Sequence, residues 1–298
     1  MQRFFFQSIR NGFHILLMGL FLPTLLHACN EDDPLKNDPL VPKKSPFLKK
    51  YTPQKYDFNF FSAIYPQADY PSLQQACLPM DLSTKSIAYI GGSLASLPES
   101  NVAKALIYNN LKCKNIYTYG HGGYGFATLN GSFQNIVERC NPHDIYILWC
   151  SSNDYGTGVP VGEPTDYTEA DGYDSSKRTT QCGGINYCIR YLRQLNPHAT
   201  ILAFSSMQFF GQNGSRQDGY LESPTTDNGQ GITFKAYIDK QRECLEGNHI
   251  PYLNQWDLNL FNLDTFGPFF QPDGFHMRCN GYFLLGCKQL EFIINQLK

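Results

Sequence analysis

The chain has 298 residues, 42% of them hydrophobic, enough to bury one full-sized core. Its 24 basic and 26 acidic side chains leave a net charge of −2, without the basic footprint that a nucleic-acid partner requires. No repeat with a period of about 20 to 50 residues, no heptad run and no low-complexity block occurs, which excludes solenoids and coiled coils.

Arg3 and Arg10 precede a short apolar run, Ile15 to Leu26, interrupted by Gly19 and Pro23. Such a run suits a signal-peptide core better than a bilayer span. It ends in Leu26-His27-Ala28-Cys29, which resembles the lipobox of bacterial lipoproteins, with His27 an unusual occupant. The resemblance implies a lipoprotein signal peptide over residues 1–28, cleavage before Cys29, and acylation of that cysteine as a membrane anchor. Asn30-Glu31-Asp32-Asp33 looks like the tag that sends some lipoproteins to the outer cell surface. The expected location is therefore the outer membrane, exposed at the cell surface. Residues 29–55 read as a flexible tether, rich in Pro and Lys from Pro34 to Lys50. A globular domain follows over 56–298 with its core from about 86, and Tyr51 to Lys85 is expected to pack on it.

From Ser86 onward short apolar runs alternate with helical stretches. Ile87–Ile90, Asn115–Tyr119, Ile145–Trp149, Thr200–Phe204 and Tyr252–Asn254 read as five strands. Val102–Leu111, Phe133–Cys140, Ile185–Leu195, Phe234–Leu245 and Tyr282–Leu297 read as helices between and after them. The alternation predicts βαβ units, hence a five-stranded parallel sheet in a three-layer α/β/α sandwich. Gly156–Gly184 and Gly211–Gly231 stand outside it as long polar loops of the kind that carry function.

Of ten cysteines, nine remain if Cys29 is acylated, an odd number that leaves at least one thiol free. Cys182 with Cys188, and Cys279 with Cys287, are the candidates for local bridges. No Cys/His spacing suits zinc, so no metal is expected. His143, His198 and His249 sit beside proline or loop residues and read as surface positions.

Ligands of an open parallel sheet bind beyond the carboxyl ends of its strands. Polar, glycine-containing segments fall there repeatedly: Gly91-Gly92-Ser93, Gly120-His121-Gly122-Gly123, Ser151-Ser152-Asn153-Asp154 and Asp273-Gly274-Phe275-His276. In this order they resemble the four blocks of the SGNH/GDSL hydrolase family, over roughly Ser86 to the C-terminus. Two positions depart from its pattern: Gly92 stands where the family has Asp, and Ser151 where the third block has Gly.

The resemblance implies a flavodoxin-like sheet and acyl transfer through a Ser93 nucleophile, with His276 as base and Asp273 as its orienter. It also implies an oxyanion hole from the backbone N–H of Ser93, that of Gly123, and the Asn153 amide. No metal or organic cofactor is implied. An α/β-hydrolase elbow fits less well, because Ala95 stands where GxSxG needs its last glycine. The expected substrate is an ester on a small molecule or glycan, with O-acetyl groups on envelope glycans favoured. Tyr119, Tyr124, Phe126 and Tyr155 are candidates to stack on sugar rings, Tyr124 and Tyr155 foremost. Rival readings are a lipid-directed esterase, an acetyltransferase with the same triad, and a non-catalytic surface glycan-binding lipoprotein.

Overall fold

Short apolar runs without polar alternation are satisfied when a strand is buried on both faces. In the computed structural model, which describes residues 45–64, 82–215 and 231–298, the runs from Ser86 onward take that form. The leader, Cys29, the acidic stretch at 30–33, Cys77 and residues 216–230 lie outside the described residues.

In chain order the elements are β1 (Leu48–Lys50), α1 (Phe58–Ile64), β2 (Ser86–Gly91), α2 (Ser93–Ser96) and α3 (Asn101–Leu111). They continue with β3 (Asn115–Gly120), α4 (Phe133–Val137), β4 (Ile145–Trp149), α5 (Asn153–Gly156) and α6 (Gln181–Leu195). The last are β5 (Thr200–Phe204), α7 (Phe234–Gly247), β6 (Tyr252–Leu253), α8 (Phe266–Phe269) and α9 (Cys279–Leu297). Every residue of β2 and β4 is buried.

The sheet has six strands in the order β1-β3-β2-β4-β5-β6. The five expected strands are parallel, and their order 3-2-4-5-6 is the flavodoxin-like one. From β2 the chain steps outward to β3, then crosses back beyond β2 to β4 and onward. Right-handed crossovers therefore put α3 on one face and α4, α6 and α7 on the other. Helix α9 packs on α3, while α6 packs on α4 and α7. Among the described residues no helix is long and apolar enough to cross a membrane.

The sixth strand corrects the tether expected over 29–55. Leu48–Lys50 pairs antiparallel with β3 at the sheet edge, and Phe47 and Tyr51 on either side are buried. Two aromatics flanking a short Lys-rich strand supply the apolar area that a free tether lacks. Helix α6 starts four residues before the expected Ile185, because the Thr180 hydroxyl caps it by accepting from the Gly183 N–H at 3.0 Å. Segment 156–180 is tied down by carboxylates. Buried Asp166 accepts from the Glu163 N–H and Thr180 hydroxyl, and Asp171 from the N–H groups of Tyr167 and Thr168. Its Tyr173 ring then lies 3.6 Å from the Arg190 guanidinium of α6, a cation–π contact that fastens the segment to the helix.

Two further expectations are overturned. Cys182 and Cys188 share helix α6, and Cys279 and Cys287 share α9. Six and eight residues of helical rise separate the pairs by about 9 and 12 Å, beyond the reach of a disulfide. The described cysteines are all free thiols. His143 is not a surface residue. It is 3% exposed, with Nε2 2.9 Å from the Tyr119 hydroxyl and Nδ1 3.2 Å from Ser86 Oγ.

Burial lowers the His143 pKa from 6.5 to about 4, against the pull of nearby Asp144. The unfolded chain therefore binds this proton more readily than the folded one, so stability is complete above pH 6.5 and is lost as pH falls towards 4. In denaturant titrations, wild type should lose about 2 kcal/mol more than His143→Gln between pH 7 and pH 4.5, following 1.36 kcal/mol per pKa unit. Equal losses would contradict the buried neutral imidazole.

Candidate functional site

The register of the sheet builds the site. Gly91 of β2 stands beside Gly120 of β3 on one side and Trp149 of β4 on the other. The three central strands end level, and the segments that follow them share one rim. It lies at the point where the chain leaves β2 in opposite directions, which is where open α/β sheets bind ligands.

Ser93 opens α2, a helix of only four residues with little strength of its own. It is secured from below. The Lys104 ammonium, 3% exposed, donates to Ala95 O and to Ser100 Oγ, both at 2.7 Å. The Ser100 hydroxyl lies 2.6 Å from Leu97 O. These groups satisfy carbonyls that the end of a helix leaves without partners. Burial, with Lys49 adding to it, lowers the Lys104 pKa to about 7.

Asp273 and His276 arrive on the segment that enters α9. The Ser93 hydroxyl is 2.9 Å from His276 Nε2, and His276 Nδ1 is 2.6 Å from Asp273 Oδ2. The carboxylate can only accept, so Nδ1 carries the proton and Nε2 offers its lone pair to the serine hydroxyl. Asp273 Oδ1 also accepts the backbone N–H groups of Phe275 and His276, each at 2.9 Å. Partial burial pushes this carboxyl up, but the His276 ring and the two backbone donors outweigh it and hold the pKa at about 2. Gly274 makes the turn fit: its φ is +76°, and a Cβ there would stand 2.0 Å from Phe210 O.

The second and third blocks are joined to each other. The Asn153 side-chain amide donates to Tyr124 O at 2.8 Å, which leaves it a second hydrogen. Gly123 lies one residue before Tyr124 at φ +82°, with open space where a Cβ would be. A Cβ on Gly122 would stand 3.9 Å from that of Ser93. Fully buried Asp154 accepts the N–H groups of Phe126 at 2.7 Å and Ala127 at 2.8 Å. Burial raises its pKa to about 6 against those two donors. From outside, Phe47 packs on the rings of His121 and Tyr124.

The structure thus brings Ser93, Asp273 and His276 into one hydrogen-bonded chain and sets Gly123 and Asn153 around the same rim. Tyr124 is at the rim, half-buried, its ring 4.1 Å from that of His121. Tyr155 is a correction: it is 4% exposed and packs on Phe234 and Tyr237, because the single turn of α5 directs it into the core. Tyr119 and Phe126 are fully buried as well. Among the described residues no three His, Cys, Asp or Glu side chains gather as a metal site would require. Lys104 and Asp154 support the rim without belonging to the catalytic set that the sequence motifs name. A lysine inside the apolar run Val102-Ala103-Lys104-Ala105-Leu106 was the available sign of the first. Asp154 stood in a recognised block without a stated partner.

No family model and no curated protein sequence matches the chain. Solved structures share its fold. A possible lipase from Chitinophaga pinensis superposes with a TM-score of 0.51 at 19% identity, over 72% of this chain and 98% of that one. A protein from Lactobacillus plantarum does so with a TM-score of 0.58 at 16% identity, over 71% and 97%. The fold these chains have in common is the α/β sandwich with its parallel sheet.

Replacing Asp154 by Ala would strand two buried N–H groups, each costing about 1–3 kcal/mol. Asp154→Ala should therefore melt well below wild type, and Asp154→Asn, which retains one acceptor, should fall between them. Unchanged melting of Asp154→Ala by circular dichroism would show that the carboxylate does not hold the rim together.

Proposed function

We propose that this chain is a serine ester hydrolase of the SGNH/GDSL type that removes short acyl groups, O-acetyl above all, from glycans at the cell envelope. The observation that carries the reading is the continuous chain from Ser93 Oγ through His276 to Asp273, set at the carboxyl edge of a parallel sheet. His276 Nε2 takes the hydroxyl proton as Ser93 Oγ bonds to the ester carbonyl carbon. The N–H groups of Ser93 and Gly123 and the Asn153 amide receive the negative oxygen of the tetrahedral intermediate. The C–O bond to the alcohol then breaks, His276 returns the proton to that oxygen, and water repeats the sequence to free Ser93. Asp273 stays ionised throughout and stabilises the imidazolium. The possible lipase among the fold relatives agrees with ester chemistry.

A short acyl group is supported by what fills the flank of His276. The Phe275 ring lies 5.2 Å from Phe209, Phe209 5.7 Å from Phe234, and Phe234 5.2 Å from Tyr155. We read this packed aromatic row beside His276 as leaving no groove for a long alkyl chain. The glycan side of the proposal rests on the half-buried Tyr124 at the rim, and the envelope location on the lipobox-like segment ending at Cys29.

A fluorophosphonate probe should label wild type and leave Ser93→Ala unlabelled; equal labelling of both, or of neither, would refute the hydrolase reading. Nitrophenyl acetate should be cleaved faster than butyrate and longer esters, whereas rates that climb beyond butyrate would replace the deacetylase by a lipid-directed esterase. In cells fed radiolabelled palmitate, label should enter wild type and be absent from Cys29→Ala. Label retained in that variant would remove the anchor.

A further inference from the structure

The two departures from the SGNH/GDSL pattern, Gly92 and Ser151, meet in space. The backbone at Gly92 is extended, with a negative φ of −81° and ψ −150°, so the left-handed conformation that favours glycine is not what places it there. What a side chain there meets is crowding. A Cβ on Gly92 would stand 3.1 Å from Asn153 Nδ2, 3.1 Å from Tyr124 O and 3.3 Å from Ser151 Oγ. The Ser151 hydroxyl therefore borders the space that the family's aspartate would enter.

That hydroxyl is engaged. Ser151 is buried, and its Oγ accepts the backbone N–H of Asn153 at 3.0 Å. Its position is fixed from behind by fully buried Gln241, whose Nε2 donates to Ser151 O and to Gln181 Oε1, both at 3.0 Å. The Gln241 oxygen in turn faces the Ser206 N–H at 3.4 Å. A side-chain acceptor from position 151 thus sets the start of α5, and with it the amide that donates to Tyr124 O.

Resting on the functional reading above, we propose that Ser151 is a positioning residue for the oxyanion donor Asn153, and that it forms an exchangeable pair with Gly92. A hydroxyl at 151 with no side chain at 92 holds Asn153 by its backbone N–H, where a carboxylate at 92 with no side chain at 151 would meet the side-chain amide of the same residue, 3.1 Å from the Cβ site. Removing the Ser151 hydroxyl frees one of the three close neighbours of a Cβ at 92, and the Asn153 amide and Tyr124 carbonyl then give by a few tenths of an ångström. Both together crowd the same few ångströms, and neither leaves Asn153 loosely held.

The test is a double-mutant cycle of Ser151→Gly, Gly92→Asp and their combination, read by melting temperature and by kcat and KM on nitrophenyl acetate. Deleting an oxyanion donor costs about a hundred- to a thousand-fold in rate, so loosening one should cost part of that. Ser151→Gly is expected to lower kcat about tenfold with KM within about twofold. Gly92→Asp alone should lower both Tm and kcat by crowding. The double variant should regain Tm over Gly92→Asp and kcat over Ser151→Gly. Losses that simply add in the double variant, or a Ser151→Gly kcat within twofold of wild type, would overturn the proposal. The two readouts separate this idea from the hydrolase reading. Should Ser93 prove unreactive, that reading falls, while additive or non-additive melting shifts still decide whether positions 92 and 151 are coupled.

Discussion

Parallel pairing in a register that ends β2, β3 and β4 level is the constraint on which the rim depends. Gly91, Gly120 and Trp149 are direct neighbours across the three strands, so the next few residues of each emerge at one height. A slip of one residue would turn every side chain of a strand to the opposite face. In strands as fully buried as β2 and β4 it would also bring the polar loop residues into the core. The apolar runs thus do two things at once: they bury area, and they set the height at which Ser93, Gly123 and Asn153 stand.

On that platform two aspartates meet opposite fates. Asp273 receives the ring of His276 and two backbone N–H groups while still touching solvent, and its carboxyl is held at about 2. Asp154 receives two backbone N–H groups in complete burial, and desolvation takes it to about 6. The first environment favours an orienter that stays charged beside an imidazole. The second trades charge stability for stiffness, since its two acceptors clamp the 126–127 backbone against α5. Both are one residue type, separated in behaviour by the His276 partner of the first and the complete burial of the second.

The five parallel strands and the rim they form were legible because apolar runs and glycine punctuation report burial and turning directly. Ser93, Asp273 and His276 were legible through short blocks whose order survives long loops. What escaped notice depends on partners far apart in the chain. The pairing of Leu48–Lys50 with β3 depends on the aromatic flanks of a lysine-rich segment, which composition alone assigns to solvent. The burial of Tyr155 and His143 is invisible in the sequence because their neighbours along the chain say nothing about the rings that enclose them. The bridges imagined for Cys182–Cys188 and Cys279–Cys287 failed once both pairs became helical, where close numbering no longer means closeness.

The edge strand β1 has a geometric consequence for a chain anchored as proposed. Phe47, just before it, touches His121 and Tyr124, so the described chain begins beside the rim that holds Ser93 and not at its far side. Cys29 and Ser45 are sixteen peptide steps apart, which at about 3.5 Å each spans at most about 55 Å. Were Cys29 to carry the proposed anchor, the rim would reach no farther than a thin shell above the membrane. Height above the membrane would then sort substrates before their chemistry is read.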